Sequence, residues 1–227
     1  LRNYPILGHM RFIFEGIRPE IRQYLIESDQ DEEPFSRDDR SLVYQRAKGQ
    51  EDARPFGTRE RVYDAGYSWI THSVRPLHIT DTDFRTVIGG KDCSQPYAAS
   101  LYNISAMSFG SLSANAISAL NKGAKIGGFA HDTGEGSVSR YHKAGGGDLI
   151  YQLASGYFGS RAADGSFDPD KFRETASLEQ IKMIELKLSQ GAKPGHGGML
   201  PASKISAEIA AARGIPMGHD CISPAAH

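Results

Sequence analysis

Several common chemistries lack their usual signals in this 227-residue chain. There are only two cysteines, Cys93 and Cys221, far apart and in no CxxC pair. That leaves no basis for a disulfide framework, a zinc site or an iron–sulfur site built from this chain. Both are read as reduced thiols that pack as small residues. No basic excess exists, with 26 Lys and Arg against 27 Asp and Glu and a net charge of −1, which argues against a surface that tracks nucleic-acid phosphates. No apolar run is long enough to span a bilayer, and no signal-peptide pattern is seen. Eight histidines are scattered without HExxH or related spacing, so no metal site is expected. GxSxG, GxxxxGK[ST] and a strand-linked GxGxxG are all missing, which removes the signals for a hydrolase elbow, a phosphate loop and a dinucleotide-binding unit. His219-Asp220-Cys221 is too short and too common a run to name a catalytic set.

Glycine is abundant, with 25 residues concentrated after Gly89. Glycine permits positive φ and close backbone approach to a ligand, so function is sought in that half. Residues 1–100 read as a lead-in. Pro19 is expected to start a helix carrying Ile21, Leu25 and Ile26. The run from Glu27 to Arg40 is expected to be a solvated loop of mixed charge, and Ser41 to Ala47 a second short helix. Residues 50–100 read as extended and irregular, with strand-like residues at Trp69–Thr71 and Ile79–Thr80 between prolines.

Tyr102 to Gly136 organises the remainder. Tyr102 to Met107 is apolar enough for a buried strand, and Ser108–Ser111 breaks it. Ser113 can cap a helix on which Ala114, Ile117 and Leu120 recur, and Gly127-Gly128 ends that unit. Strand, crossover helix and second strand imply parallel pairing, and parallel α/β folds bind ligands at the carboxyl ends of strands. Ser105, Ser108, Gly110 and Ser111, and then Thr133-Gly134-Glu135-Gly136, fall at two such ends. Further elements follow: a strand over Asp148–Leu153, a helix started by Asp168-Pro169, a strand from Lys182 to Ser189, a helix from Ser206 stopped by Gly214, and a strand beginning at Cys221. For Lys182–Ser189 both periods fit, and the breaker run after Ser189 favours the strand. About four β/α strands are expected, half of what an eight-stranded barrel holds, so either the sheet is open or the chain is half of a barrel.

Two motifs carry candidate chemistry. In QGAKPGHGGMLP, Lys193 sits among small residues after a strand, where a fixed cation stabilises negative charge on a ring or a carboxylate; the plainer alternative is a solvated lysine in an ordinary loop. Glu135, between two glycines, either binds a substrate ammonium, acts as general base, or is a turn acid facing water. His131 and His196 are candidate proton carriers.

ISAMSFGSLS (104–113), HDTGEGS (131–137), AKPGHGGMLP (192–201) and CISPAAH (221–227), in that order, resemble the FMN-binding synthase domain of glutamate synthase, and most of all its stand-alone bacterial relatives. The likeness is strong from Tyr102 to His227 and weaker over residues 1–100. It implies an α/β fold of (β/α)8 TIM-barrel type, of which 101–227 would be the N-terminal half behind a 1–100 lead-in. It also implies FMN, and an oxidoreductase that reduces an imino acid, formed from 2-oxoglutarate and ammonia, to glutamate. By the match, Ser105, Ala106, Met107, Ser108, Thr133 and Lys193 would bind the cofactor, and Met107, Glu135, Lys193, Met199 and Arg213 the substrate. Lys193 and Glu135 would be catalytic. An iron–sulfur cluster would come from residues beyond this chain.

Two positions depart from the family. His196 and Met199 stand where it has an acid and a glutamine, and Met donates no hydrogen bond. That opens a second reading, an FMN barrel acting on another amino acid, such as an N-methylated one. A third is a non-catalytic half-barrel that needs a partner chain or a second copy, because open parallel strands demand pairing. The expected partners are a small 2-oxo acid or amino acid and an electron donor, an NADPH-linked subunit or ferredoxin, with no nucleic acid. The expected location is cytoplasmic. A start at Leu1 leaves room for an upstream membrane anchor.

Overall fold

The structure is a computed structural model that describes residues 5–26, 35–49, 61–190 and 196–224. The chain divides into two units, 1–75 and 76–227. In the first, helix α1 spans Pro5–Ile21, so the helix begins with a proline at its first turn and Pro19 lies inside it. The expected start at Pro19 is thus corrected. Pro19 brings no N–H to the ladder, and the chain turns directly into a wider π-type segment over Arg22–Ile26. Helix α2 spans Arg37–Ala47. Ser36 caps it by accepting a hydrogen bond from the Asp39 amide, and Asp38 and Asp39 in the first turn suit the positive end of the helix. Residues 37–40 are therefore helical and not loop, while 27–34 lie outside the described residues. Residues 61–75 form no regular element.

The second unit opens on an antiparallel pair, β1 (Arg85–Ile88) and β2 (Tyr97–Ser100). Ile79–Thr80 stays irregular, as does Trp69–Thr71 in the first unit. The organising stretch then differs from expectation at its start. Tyr102–Met107 is not a buried strand; Ser105 and Ala106 are exposed, and only Ile104 bridges, parallel to His131. Its hydrogen bonds still run in the parallel sense, from Ile104 N to Ala130 O and from Asp132 N to Ile104 O. Helix α3 (Ala114–Gly127) crosses over, capped by the Ser113 side chain and ended by Gly128 in the left-handed region. Ile117 and Ala124 are buried in it.

A three-stranded parallel sheet follows in the order β3 (His131–Asp132), β4 (Leu149–Leu153), β5 (Ile181–Leu186). Helix α4 (Arg140–Ala144) links the first two and α5 (Pro169–Ala176) the second two, the latter capped by Asp168 with Pro169 at its first turn. The expected parallel β/α repeat is present to this point. After it, β6 (Met199–Leu200) and β7 (Cys221–Ile222) pair antiparallel with each other, so the strand at Cys221 does not extend the parallel sheet. Between them α6 (Ala207–Arg213) is capped by Ser206 and closed by Gly214. The apolar core joins Phe109, Ile117, Phe158, Leu200, Ile205, Ile209, Ala210 and Cys221. It fixes β6, α6 and β7 beside the loop at Phe109.

Candidate functional site

The parallel register decides which side chains meet. Asp132 faces Ile150, and Gln152 faces Glu185. Since alternate residues share a face, Asp132, Gln152 and Glu185 lie on one side of the sheet at the carboxyl ends of its strands. The ladder runs on past β5, where Lys187 N donates to Leu153 O, which puts Lys187 on that side too. A polar cluster results. Asp132 is buried and its Oδ1 accepts from Gly134 N at 2.7 Å. Burial above all, with Glu185 adding to it, pushes the Asp132 carboxyl up to about 7. The Gln152 amide donates to Glu185 Oε1, while its own Oε1 is buried with no partner among the described residues.

Glu135 stands next to this group. Lys187 Nζ lies 3.2 Å from Glu135 Oε2, both side chains being mostly shielded from solvent at 23% and 17% exposure. Gln190 Nε2 donates to both carboxylate oxygens, at 3.0 and 3.2 Å. Gly198 closes the other side. A Cβ there would sit 2.5 Å from Glu135 Oε1, so any larger residue would push the acid from its present position. Glu135 is therefore a held carboxylate and not a turn acid facing water.

The two glycine-rich loops touch. Gly134 has φ +65°, and a Cβ there would come 2.8 Å from Ser108 N. Met107 N donates to Asp132 O, and Met107 O accepts from His142 Nε2 at 2.9 Å. His142 Nδ1 accepts from the Ser139 amide, which fixes the neutral tautomer with its proton on Nε2. Burial lowers His142 and carries His131 down to about 4, with His142 contributing to the latter. His131 is thus a neutral interior group near pH 7. His196 lies on the surface.

The remaining expected residues fall in different settings. Ser105 and Ala106 are exposed, and Met107 and Ser108 half-buried, in the irregular segment after Ile104. Thr133 is fully buried; its hydroxyl donates to Gly134 O and accepts from Gln152 N. Arg213 is buried under the 134–136 loop, where Nη2 donates to Phe109 O and the guanidinium lies over the Phe158 ring at 5.4 Å, with Nε unpaired among the described residues. Met199 is exposed on β6. Lys193 lies outside the described residues. Asp132, Gln152, Glu185, Lys187 and Gln190 were not singled out from the sequence. Their signal was there: a glutamine inside the apolar run LIYQL, and the polar alternation of Glu185 and Lys187. Among the described residues, no group of three His, Cys, Asp or Glu is placed to hold a metal ion.

The family model described as "Conserved region in glutamate synthase" matches residues 64–227. The chain belongs to the glutamate synthase family. Among curated relatives, the glutamate synthase large subunit-like protein YerD of Bacillus subtilis is 35% identical over 99% of this chain and 50% of its own length. The archaeal-type glutamate synthase [NADPH] of Thermotoga maritima is 39% identical over 54% of this chain and 22% of its own. A glutamate synthase large subunit-like protein of Rhizobium meliloti is 32% identical over 80% of this chain and 39% of its own. The chain thus spans half or less of the length of these relatives. Membership is consistent with a barrel-type α/β fold. Among the described residues, no helix is long and apolar enough to cross a membrane.

Proposed function

We propose that this chain carries the synthase chemistry of an FMN-dependent glutamate synthase, in which 2-oxoglutarate and ammonia form 2-iminoglutarate and this is reduced to glutamate. What supports the reading most is the meeting of Glu135, Lys187, Gln190 and both glycine-rich loops at the carboxyl ends of the parallel strands. That is where β/α folds bind their ligands. The segment 105–108 fits a flat cofactor ring: Ser105 and Ala106 are small and exposed there, and the Met107 carbonyl is held by His142. Ser105 to Ser108 would lie along FMN, which when bound supplies the hydride. Thr133 backs the same loop from inside.

Each side chain then has a task. Glu135, kept in place by Lys187 and Gln190, accepts a hydrogen bond from the substrate nitrogen. Lys187 also balances charge near the substrate carboxylates. Arg213 and Lys193 serve the dicarboxylic acid, Lys193 by resemblance alone. Met199 borders the substrate without donating to it. An iron–sulfur cluster and an NADPH-linked or ferredoxin donor would come from outside these residues. The direct test is the visible spectrum of the protein as it occurs in its source. A flavin spectrum that bleaches on reduction and recovers with 2-oxoglutarate and ammonium is expected. A colourless protein that FMN cannot reconstitute sinks the reading. An assay panel of 2-oxo acids and amines separates glutamate formation from turnover of an N-methylated amino acid.

A specific observation favours a second element of this reading. β5 is the edge of the parallel sheet, and Ile184 and Leu186 on it are 46% and 65% exposed. We infer that 101–227 is the N-terminal half of a (β/α)8 barrel whose closing strands pair with β5, supplied by further sequence or by a partner chain. Light scattering tests this. A cooperatively folding monomer of this chain alone counts against it.

A further inference from the structure

A cavity of about 420 Å³ is bounded by the end of the Glu135 loop, the end of α4, the segment after β4, α5 and the end of α6, and the proposed chemistry makes no use of it. Ser137 and Gly159 form part of its wall. Ser137 is 4% exposed and has φ +72°, a conformation that residues with side chains seldom adopt. Gly159 has φ +83°, and a Cβ there would lie 2.1 Å from Ser137 Oγ, so the hydroxyl rests directly on the glycine. That hydroxyl has no hydrogen-bond partner among the described residues. Backbone strain of this kind gathers at ligand clamps, and a shielded hydroxyl calls for a partner. The charges that line the cavity are Lys143, Arg161, Lys171 and Glu174. Lys171 is occupied: its Nζ donates to Arg161 O at 2.8 Å and lies 3.8 Å from Asp168 Oδ2. Arg161 Nη1 donates to Gly156 O at 3.2 Å, and a guanidinium has donors to spare beyond that one. The side chains of Lys143 on α4 and Glu174 on α5 have no partner among the described residues and do not pair with each other. Two opposite charges that line one cavity without meeting suit a ligand that carries both. Three cations against one acid call for a surplus of negative charge on that ligand.

We propose that this cavity binds an acidic α-amino acid at a site separate from Glu135. The ammonium group pairs with Glu174, one carboxylate with Lys143 and the Ser137 hydroxyl, and the other carboxylate with Arg161. Ala211 and Ala212 of α6, small and apolar, leave room for the short carbon chain between them. A phosphate-type polyanion fits less well, because it sets like charge against Glu174. Ser137 ends the loop that carries Glu135, so the bound amino acid holds that loop from behind. Binding needs neither flavin nor turnover, and it stands or falls apart from the glutamate synthase reading.

The test is isothermal titration calorimetry of the full natural protein with L-glutamate and L-aspartate. Glutarate, which has the two carboxylates without the ammonium, and inorganic pyrophosphate are the comparison ligands. Saturable binding of an acidic amino acid is expected, with a Kd at least 10-fold higher in Lys143→Met and in Glu174→Gln and unchanged in Glu135→Gln. Glutarate is expected to bind at least 10-fold more weakly than the amino acid. Lys143 and Glu174 are exposed, so both variants keep the fold, which their circular dichroism verifies. No saturable binding, or wild-type Kd values in both cavity variants, overturns the site. Binding lost in Glu135→Gln and kept in the cavity variants assigns the amino acid to the Glu135 loop and overturns it too. Glutarate or pyrophosphate bound as tightly as the amino acids refutes the ligand class.

Discussion

Replacing Asp132 with Asn tests whether a carboxyl is held protonated inside the sheet. The Asp132 carboxyl is pushed up to about 7 in the fold, against an ordinary value of 3.8. Between those values the native state keeps a proton that the unfolded chain has lost, so stability falls as pH rises, by about 1.4 kcal/mol per unit. The stabilisation is full below pH 4 and gone above pH 7, for a span of at most about 4 kcal/mol. His131 has the opposite sign. Its folded value near 4 lies below its ordinary 6.5, so its share of stability rises with pH across that window. Wild type alone mixes the two slopes, but the difference between wild type and Asp132→Asn cancels the histidine. Asn keeps an oxygen for the Gly134 amide and cannot ionise. Urea denaturation at pH 4.5, 6 and 8 should show the variant gaining on wild type by about 2–4 kcal/mol from the lowest to the highest pH. Parallel pH profiles for the two proteins would refute a buried protonated Asp132.

Other perturbations follow from named contacts. Lys187→Met leaves the shielded Glu135 carboxylate without its cation and should cost about 2 kcal/mol in urea denaturation, more than an exposed pair is worth. Glu135→Gln should lower glutamate formation about 100-fold or more in a variant whose amide spectrum shows it folded, if the carboxylate serves the substrate nitrogen. Gly134→Ala forces an L side chain into positive φ and against Ser108 N, so a loss of about 1–3 kcal/mol is expected by thermal denaturation.

Local signals carried much of this fold. Ser113, Asp168-Pro169, Ser206 and Gly214 each mark a helix end through chemistry that acts within a few residues, and each does so in the structure. The strands at Leu149–Leu153 and Ile181–Leu186 were legible because breakers bound them. Ser36 with Asp39 carried the same capping signal, but the surrounding charge run concealed it. Tyr102–Met107 looked like a strand by apolarity, yet only Ile104 forms a β-bridge, which composition does not encode. The antiparallel pairing of Met199–Leu200 with Cys221–Ile222 depends on core contacts across α6 and is equally silent in local sequence. The site divides in the same way. Glu135 was visible between its glycines, and Gly134 and Gly198 do bring their loops together. Asp132, Gln152 and Glu185 come from three strands, and only the parallel register places them side by side.

The account turns on whether Glu135 serves glutamate formation at a flavin site. The measurement that reaches it most directly is the appearance of 15N-glutamate from 2-oxoglutarate and 15N-ammonium, with the natural protein, FMN and a chemical reductant, for wild type and Glu135→Gln. Labelled glutamate that requires FMN and falls at least 100-fold in the variant is the predicted result. No labelled glutamate from a protein that has bound FMN, or equal amounts from both proteins, would contradict it.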